Sequence, residues 1–334
     1  MKKFRAAAVL FFMFLLSFGT AAYAENDDSI VEQNAALPVT AAAAASTQIT
    51  CGVMQDGTFG MMPETHQYSV YLQGGKGIAF MAKGSSIISL GLYTPSGTLV
   101  GVISPVASGS GSRYGVLTTP SGTSGYYTIR VNGACGDYSF NCLTGFSVTA
   151  SAVNSTYQRG GAAEYARQYA LTPNANWPAY IADCANFVSQ CLHEGGGMPM
   201  IKGGGTDKYW YYTSASDRAP SWTGADSFMR HWTKVRLSSY NGRAATVRIY
   251  SKDYIINNKA AVGSLISVGD VVQYLRGSNS NAYHTTIISQ KASSTDIKFC
   301  AHTTNRKDEN WFDYIASSNI SSTDWIIVIK ISNS

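Results

Sequence analysis

Charge is scarce in this sequence. Asp, Glu, Lys and Arg make up 13% of its 334 residues, and the formal net charge is +5. Three of the basic residues, Lys2, Lys3 and Arg5, open the chain. Without them the balance falls to +2, which leaves no electrostatic case for nucleic acid as a partner. Long apolar runs are scarce as well. Beyond the first two dozen residues no segment is long and apolar enough to span a bilayer, and no lipid-attachment cysteine follows. Metal-ligand spacings are missing: Cys184 and Cys191 stand seven apart, no histidine is paired with carboxylates as in a zinc peptidase, and no carboxylate cluster marks calcium. No metal or other cofactor is therefore expected. Histidine is limited to five residues, so chemistry that needs an imidazole has few to draw on.

Residues 1–24 combine a basic start, an apolar run over 6–18 and Ala22-Tyr23-Ala24 as a small-x-small cleavage site, the pattern of a secretory signal peptide cut after Ala24. The mature protein is expected to be soluble, secreted or associated with the cell wall, not transmembrane, and a monomer. The roughly 310 residues that remain exceed what one core usually serves, so two domains are expected. Residues 25–46 are Ala-rich without amphipathic pattern and read as a linker.

Over 47–151 short alternating apolar runs (67–72, 77–82, 87–93 and 126–131) are separated by Gly74-Gly-Lys-Gly, Pro95-Ser-Gly and Pro120-Ser-Gly. That spacing predicts an antiparallel β-sandwich. Three cysteines fall in each half, at 51, 135, 142 and at 184, 191, 300. A bridge from Cys51 to Cys135 or Cys142 is expected in an exported chain. Cys184 and Cys191 are too far apart along one straight helix to bond.

Over 155–334 the period changes. Ala162, Tyr165, Ala166, Tyr169 and Ala170 recur at helical spacing, and a second helix follows Asp183, an N-cap residue type, stopping at Gly195-Gly-Gly. Cys184 then lies in the first turn, where free N–H groups and the dipole favour a thiolate. The same helix reads equally as core, because Cys184, Phe187, Val188, Cys191 and Leu192 form one apolar stripe. Strands are predicted over 270–275, 284–289, 296–302 and 325–331. Helices followed by an antiparallel sheet give an α+β class.

A cysteine nucleophile needs a base, and histidine supplies one near neutral pH. His66 belongs to the sandwich, His193 lies too far along the cysteine helix, and His231 is expected on a helix surface. His284 and His302 remain, each at a strand end. If their strands pair as a hairpin, both sit at one end of the sheet, one as base and the other orienting it. Trp222 and Phe228 read as core, whereas Tyr209, Trp210, Tyr211 and Tyr212 are candidates to line a substrate cleft.

Two resemblances go further. Through Leu92-Tyr-Thr-Pro-Ser-Gly and Gly125-Tyr-Tyr-Thr-Ile-Arg-Val the first half resembles the pre-peptidase C-terminal type of sandwich, which implies either binding to cell-wall glycan or a spacer. Tyr157-x-Arg159, Asp183-Cys-Ala-Asn-Phe-Val-Ser-Gln-Cys-Leu192, Gly195-Gly196, Ser221-Trp-Thr, Gly269-Asp270, His284 and Ala301-His-Thr-Thr together resemble the putative amidase domain of secreted bacterial proteins. That family is similar to the NlpC-like and CHAP peptidases of the papain superfamily. The resemblance implies a papain-like fold, Cys184 as nucleophile, His284 as general base and a third polar residue at His302, with Asn305 as the alternative. Asp183 and Asn186 would support the site, the first by capping and the second by fixing the turn. Ala185 departs from the Thr or Ser usual in the family. The implied function is a secreted cysteine amidase or peptidase acting on peptidoglycan peptide. A protease for ordinary polypeptides and a non-catalytic wall-binding or adhesion protein are the alternatives.

Overall fold

Turn residues cut the first half into nine strands that close on each other as two sheets. They are β1 (Thr47–Gln48), β2 (Gln55–Phe59), β3 (Glu64–Leu72), β4 (Gly77–Lys83), β5 (Ile87–Tyr93), β6 (Leu99–Ile103), β7 (Ser112–Thr118), β8 (Gly125–Gly133) and β9 (Gly136–Phe146). The computed structural model describes residues 46–331 except 108–109, 147–155, 234, 236–242 and 244. The signal-peptide reading of 1–24 and, Ser46 apart, the linker reading of 25–46 lie outside the described residues. One sheet has the order β1-β3-β8-β5-β6 and the other β2-β9-β4-β7. Alternation does the sorting: along β8, Tyr127, Ile129 and Val131 point inward with Val70, Leu90 and Leu92 and meet Ile78, Phe80 and Phe140 of the second sheet.

The second half is α+β. Its helices are α1 (Arg159–Tyr169), α2 (Cys184–Gln190, continued by a π-helical turn Cys191–Gly195), α3 (Pro220–Thr223), α4 (Ala225–Thr233), α5 (Lys252–Asn257), α6 (Lys259–Ser264) and α7 (Trp311–Ala316). Its strands are β10 (Thr246–Ser251), β11 (Val271–Leu275), β12 (Ala282–Lys291), β13 (Ile297–Ala301), β14 (Arg306–Asn310) and β15 (Trp325–Lys330). They form one antiparallel sheet ordered β10-β15-β11-β12-β13-β14. Central strands such as β15 read as unbroken apolar runs because both faces are covered. Val271, Leu275, Ile287, Ile327 and Ile329 pack under α1, α2 and α4. Val272, Tyr274, Ile288, Phe299 and Val328 pack on the opposite side against Trp311, Phe312 and Ile315 of α7.

The β4 run 77–82 is buried at every residue instead of at every second one. Its outward-pointing Ala79 and Met81, with Leu143 and Phe146 of β9, join the core under α1, α2 and α4. Burial of side chains of the size of Met81 and Phe146 contributes roughly 1.5–3 kcal/mol each, so the sandwich is welded to the α+β region, and the described residues form one compact unit.

A second anchor is polar. Asp270, wholly buried, accepts from Arg159 Nη1 at 2.6 Å and Lys330 Nζ at 2.9 Å, and Tyr157 Oη donates to the Gly269 carbonyl at 2.8 Å. Gly269 takes φ +80°, and a Cβ there would lie 2.9 Å from the Arg159 carbonyl oxygen. Tyr157, Arg159, Gly269 and Asp270 therefore fix the start of α1 to the sheet.

Candidate active site

All seven residues of α2 are buried, including three polar ones, and each of these has an internal partner, as burial demands. Asn186 donates to the Pro178 carbonyl and to Asp183 Oδ1, both at 2.8 Å, and accepts from Trp222 Nε1 at 3.0 Å. Ser189 Oγ donates to the Trp222 carbonyl at 2.9 Å and accepts from Trp210 Nε1 at 3.0 Å. Gln190 Oε1 accepts from Tyr165 Oη at 3.1 Å. Asn186 thus fixes the local turn.

Asp183 occupies the N-cap position, yet its side chain bonds no N–H of the helix. This corrects the expected side-chain cap. Its Oδ1 is taken by the Tyr180 N–H at 3.0 Å and by Asn186, and its Oδ2 by His302. Its own N–H donates to Thr303 Oγ1 at 2.7 Å. The chain is held into the helix start from both sides while the first-turn N–H groups are left uncapped by a carboxylate.

Cys184 follows at the first helical position, 6% exposed. The Thr285 N–H, the Ala185 N–H and the Thr285 hydroxyl all face its sulfur and favour the thiolate. Burial outweighs them, Asp183 adds like-charge repulsion, and the thiol is pushed above its ordinary value. The expectation of a resting thiolate is corrected to a resting thiol.

Thr285 is the residue after His284, so the same stretch of β12 carries both a residue that favours the thiolate and the imidazole. His284 is 8% exposed. Its ring stacks at 5.9 Å on Tyr274 and lies 6.4 Å from the ring of Tyr314 on α7. Among the described residues neither ring nitrogen takes part in a hydrogen bond. Burial, with the Arg306 guanidinium second, holds its pKa down to about 4. At neutral pH it is an uncharged base with free nitrogens. Tyr314 belongs to the same group of residues: Cys184 and Arg306 both act on its phenol, and the Arg306 guanidinium sits 4.9 Å over its ring.

His302 is placed differently. The β12–β13 hairpin forms with Ile287 opposite Cys300, which brings both histidines to one rim, but the period of two and the hairpin's bulges turn them to opposite faces. His284 joins the Tyr274 side. His302 stacks on Phe187 of α2 at 3.9 Å, and its Nδ1 and Nε2 are hydrogen-bonded with Asp183 Oδ2 at 2.6 Å and the Tyr169 carbonyl at 2.9 Å. Both nitrogens are committed, so the expected orienting bond to His284 is not made. Asn305 is exposed, and its amide reaches the Leu171 carbonyl at 3.4 Å.

Two further expectations are corrected. Trp210 is wholly buried between Trp222 and Trp232, at 4.7 and 5.3 Å between rings. Tyr211 is buried too, with its hydroxyl on Asp217 at 3.0 Å. Trp210 is core and lines no cleft; Tyr209 is half-buried with its ring against Gly203. His231 is not on a surface but buried, donating from Nδ1 to the Asp207 carbonyl at 2.8 Å. Trp222 and Phe228 are core. Residues given no role by sequence are Thr285, Thr303, Arg306 and Tyr314. Only the first two had a signal, adjacency to His284 and to His302.

Among the described residues no group of three or more His, Cys, Asp or Glu could hold a metal ion, and no helix is long and apolar enough to cross a membrane.

Residues 156–326 match the family described as "Putative amidase domain". The chain is 30% identical over 135 residues to the uncharacterized protein YhbB of Bacillus subtilis (strain 168), covering 40% of this chain and 38% of that one. It is 30% identical over 168 residues to the uncharacterized protein YjcM of the same organism, covering 48% and 34%. The chain therefore spans little more than a third of the length of these relatives. Two solved structures are similar over 29% of this chain. The pre-peptidase C-terminal domain of a Bacillus anthracis collagenase has 13% identity, 94% of its length covered and a TM-score of 0.25. PliG of Aeromonas hydrophila, a periplasmic inhibitor of g-type lysozyme, has 18% identity, 93% covered and a TM-score of 0.24.

Proposed function

This chain belongs to the putative amidase domain family, and from that membership we propose that it is an exported, papain-like cysteine amidase that hydrolyses amide bonds in cell-wall peptide. The observation that carries the cysteine mechanism is the pairing on β12. Thr285 adjoins the sulfur of Cys184 and favours its thiolate, and the preceding residue, His284, is the rim imidazole whose nitrogens are free.

Both partners rest neutral, so proton transfer accompanies attack. Cys184 Sγ adds to the amide carbonyl carbon as its proton passes to His284. The carbonyl oxygen takes the negative charge and is met by the Cys184 N–H at the uncapped start of α2. The imidazolium of His284 gives the proton to the departing amine nitrogen as the C–N bond breaks, leaving a thioester on Cys184. Water, deprotonated by His284, adds to the thioester carbonyl, and the thiol leaves with that proton. Asp183, Asn186 and His302 hold the helix start in register and touch no reacting atom.

Digestion of purified muropeptides, read by mass spectrometry, tests this reading. The wild-type chain is expected to release new amine and carboxylate termini. The Cys184→Ser variant is expected to release none while its circular dichroism is unchanged. Intact muropeptides at every enzyme concentration, with casein or a peptide library cleaved instead, would replace the wall substrate by ordinary polypeptide. Full turnover by Cys184→Ser would remove the cysteine mechanism.

A further inference from the structure

The sandwich reaches the candidate site through one loop. Residues 276–281, between β11 and β12, run directly into the strand that carries His284 and Thr285. Their inner side is held by Asp324, whose Oδ1 accepts from the Gly277 N–H at 3.2 Å. Their outer side is held by the sandwich. Asn141 of β9, wholly buried, donates from Nδ2 to the Gly277 carbonyl at 2.8 Å. Ser280, buried at φ +57°, donates from Oγ to the Gly52 carbonyl at 2.9 Å.

Two cysteines adjoin these contacts, Cys51 next to Gly52 and Cys142 next to Asn141. Their backbones are tied by Gly52 N–H to the Cys142 carbonyl at 2.7 Å, and both side chains pack into the same sandwich core, where Cys51 acts on the Cys142 thiol. Cys142 is buried and Cys51 half-buried, both on the sandwich core, and both are free thiols, so the expected bridge from Cys51 is not formed in this structure. Cys135 is excluded as a partner. β2 runs antiparallel to β9 with Gln55 opposite Phe140 and Phe59 opposite Gly136, which puts Cys135 at the far end of that ladder, where its sulfur meets the Met61 carbonyl. A five-residue strand covers roughly 17 Å, well beyond the roughly 7 Å between Cα atoms that a disulfide spans.

We propose that Cys51 and Cys142 are a disulfide-forming pair that fastens the sandwich edge gripping the loop in front of His284. The oxidant is a small-molecule or protein disulfide. The better exposed Cys51 thiolate attacks one sulfur of the donor and releases a first donor thiol. The Cys142 sulfur then attacks Cys51 and releases the second. The protein loses two protons and two electrons, and the donor disulfide becomes two thiols. With the bond closed, Gly52 and Asn141 are fixed to each other, and the three hydrogen bonds they make to the loop open together or not at all.

The whole chain is exposed to oxidised glutathione, quenched with iodoacetamide, digested and analysed by mass spectrometry without reduction. The peptides holding residues 51 and 142 are expected to appear joined, lighter by two hydrogens than the separate pair. Recovery of both as alkylated monomers, or of Cys51 joined to Cys135, overturns the pairing. Amide hydrogen exchange over 276–281 tests the consequence. It is expected to slow by roughly fivefold or more on oxidation, and the half-exposed substitution Cys51→Ser is expected to abolish the difference. Equal exchange in the oxidised and reduced wild-type chain overturns the coupling even if the bond forms. Neither readout uses turnover, so the outcome is independent of the amidase reading.

Discussion

The two histidine environments at the rim of the sheet make a controlled comparison. His284 and His302 sit at the same end of one hairpin and are both almost fully buried, yet their surroundings differ in how their nitrogens are used. Around His302 every hydrogen-bonding atom is spoken for: Asp183 and the Tyr169 carbonyl take both nitrogens, and Phe187 covers the ring. Around His284 the neighbours are aromatic rings and a guanidinium. A histidine whose nitrogens are fully bonded holds a structure together. One kept neutral with its nitrogens free can move a proton. The difference assigns scaffold to one side of the rim and chemistry to the other.

The largest effect expected is on turnover. His284→Ala removes the base and should lower kcat by about 10²–10⁴, measured per folded protein because the change also deletes a nearly buried ring stacked on Tyr274. Muropeptide turnover and thermal unfolding measured on the same preparation check it. A variant that keeps wild-type turnover breaks the comparison at its active half.

The mirror substitution should act on stability. His302→Ala leaves the buried Asp183 carboxylate without its His302 partner, and losing one member of a buried pair costs up to about 3–5 kcal/mol. Denaturant unfolding is expected to show that loss. Turnover normalised to folded protein should fall far less than for His284→Ala. Unchanged stability together with abolished turnover would move His302 from the scaffold into the chemistry.

Much of this was legible beforehand and some could not be. The strands over 270–275, 284–289, 296–302 and 325–331 declare themselves because apolar runs bounded by Gly, Ser and Asn have few other readings, and the hairpin follows. Cys184 is legible because Asp183 precedes it and an apolar stripe follows. The third-residue assignment fails at His302 because a bulge and the alternation of side chains decide the face, and neither is written in spacing. Trp210 misleads because aromatic residues serve cores and clefts alike. The buried partner of Trp210, Ser189, lies 21 positions away. Tyr314 and Arg306 reach the site only through the α7 side of the sheet and carry no local sign of it.

Proton uptake sharpens the comparison further. His284 and His231 are both held to about 4, burial first in each case. The unfolded chain takes up these protons near pH 6.5, before the folded chain does. Stability present above pH 6.5 is therefore lost as pH falls toward 4, by up to roughly 3 kcal/mol per histidine. His231→Gln should make that loss shallower without moving the pH–rate profile. The acid limb of kcat/KM should fall near pH 4, where His284 takes its proton. A limb near 6.5 would mean an imidazole open to water.

The smallest effect separates the sulfur's own donors from the histidine. Thr285 offers Cys184 its hydroxyl as well as its N–H, and the same hydroxyl oxygen accepts from Gln273 Nε2 at 3.0 Å. Thr285→Val keeps the shape and the N–H but removes one donor to the thiolate. A single hydrogen bond to a charged group contributes about 1.5–3 kcal/mol when fully made, and part of it is kept by the N–H groups of Thr285 and Ala185. The thiol should therefore rise further, and alkylation by iodoacetamide at fixed pH should slow by up to about tenfold. The acid limb set by His284 should stay where it was. A shift of that limb in Thr285→Val would show that the hydroxyl acts on the imidazole as well as on the sulfur.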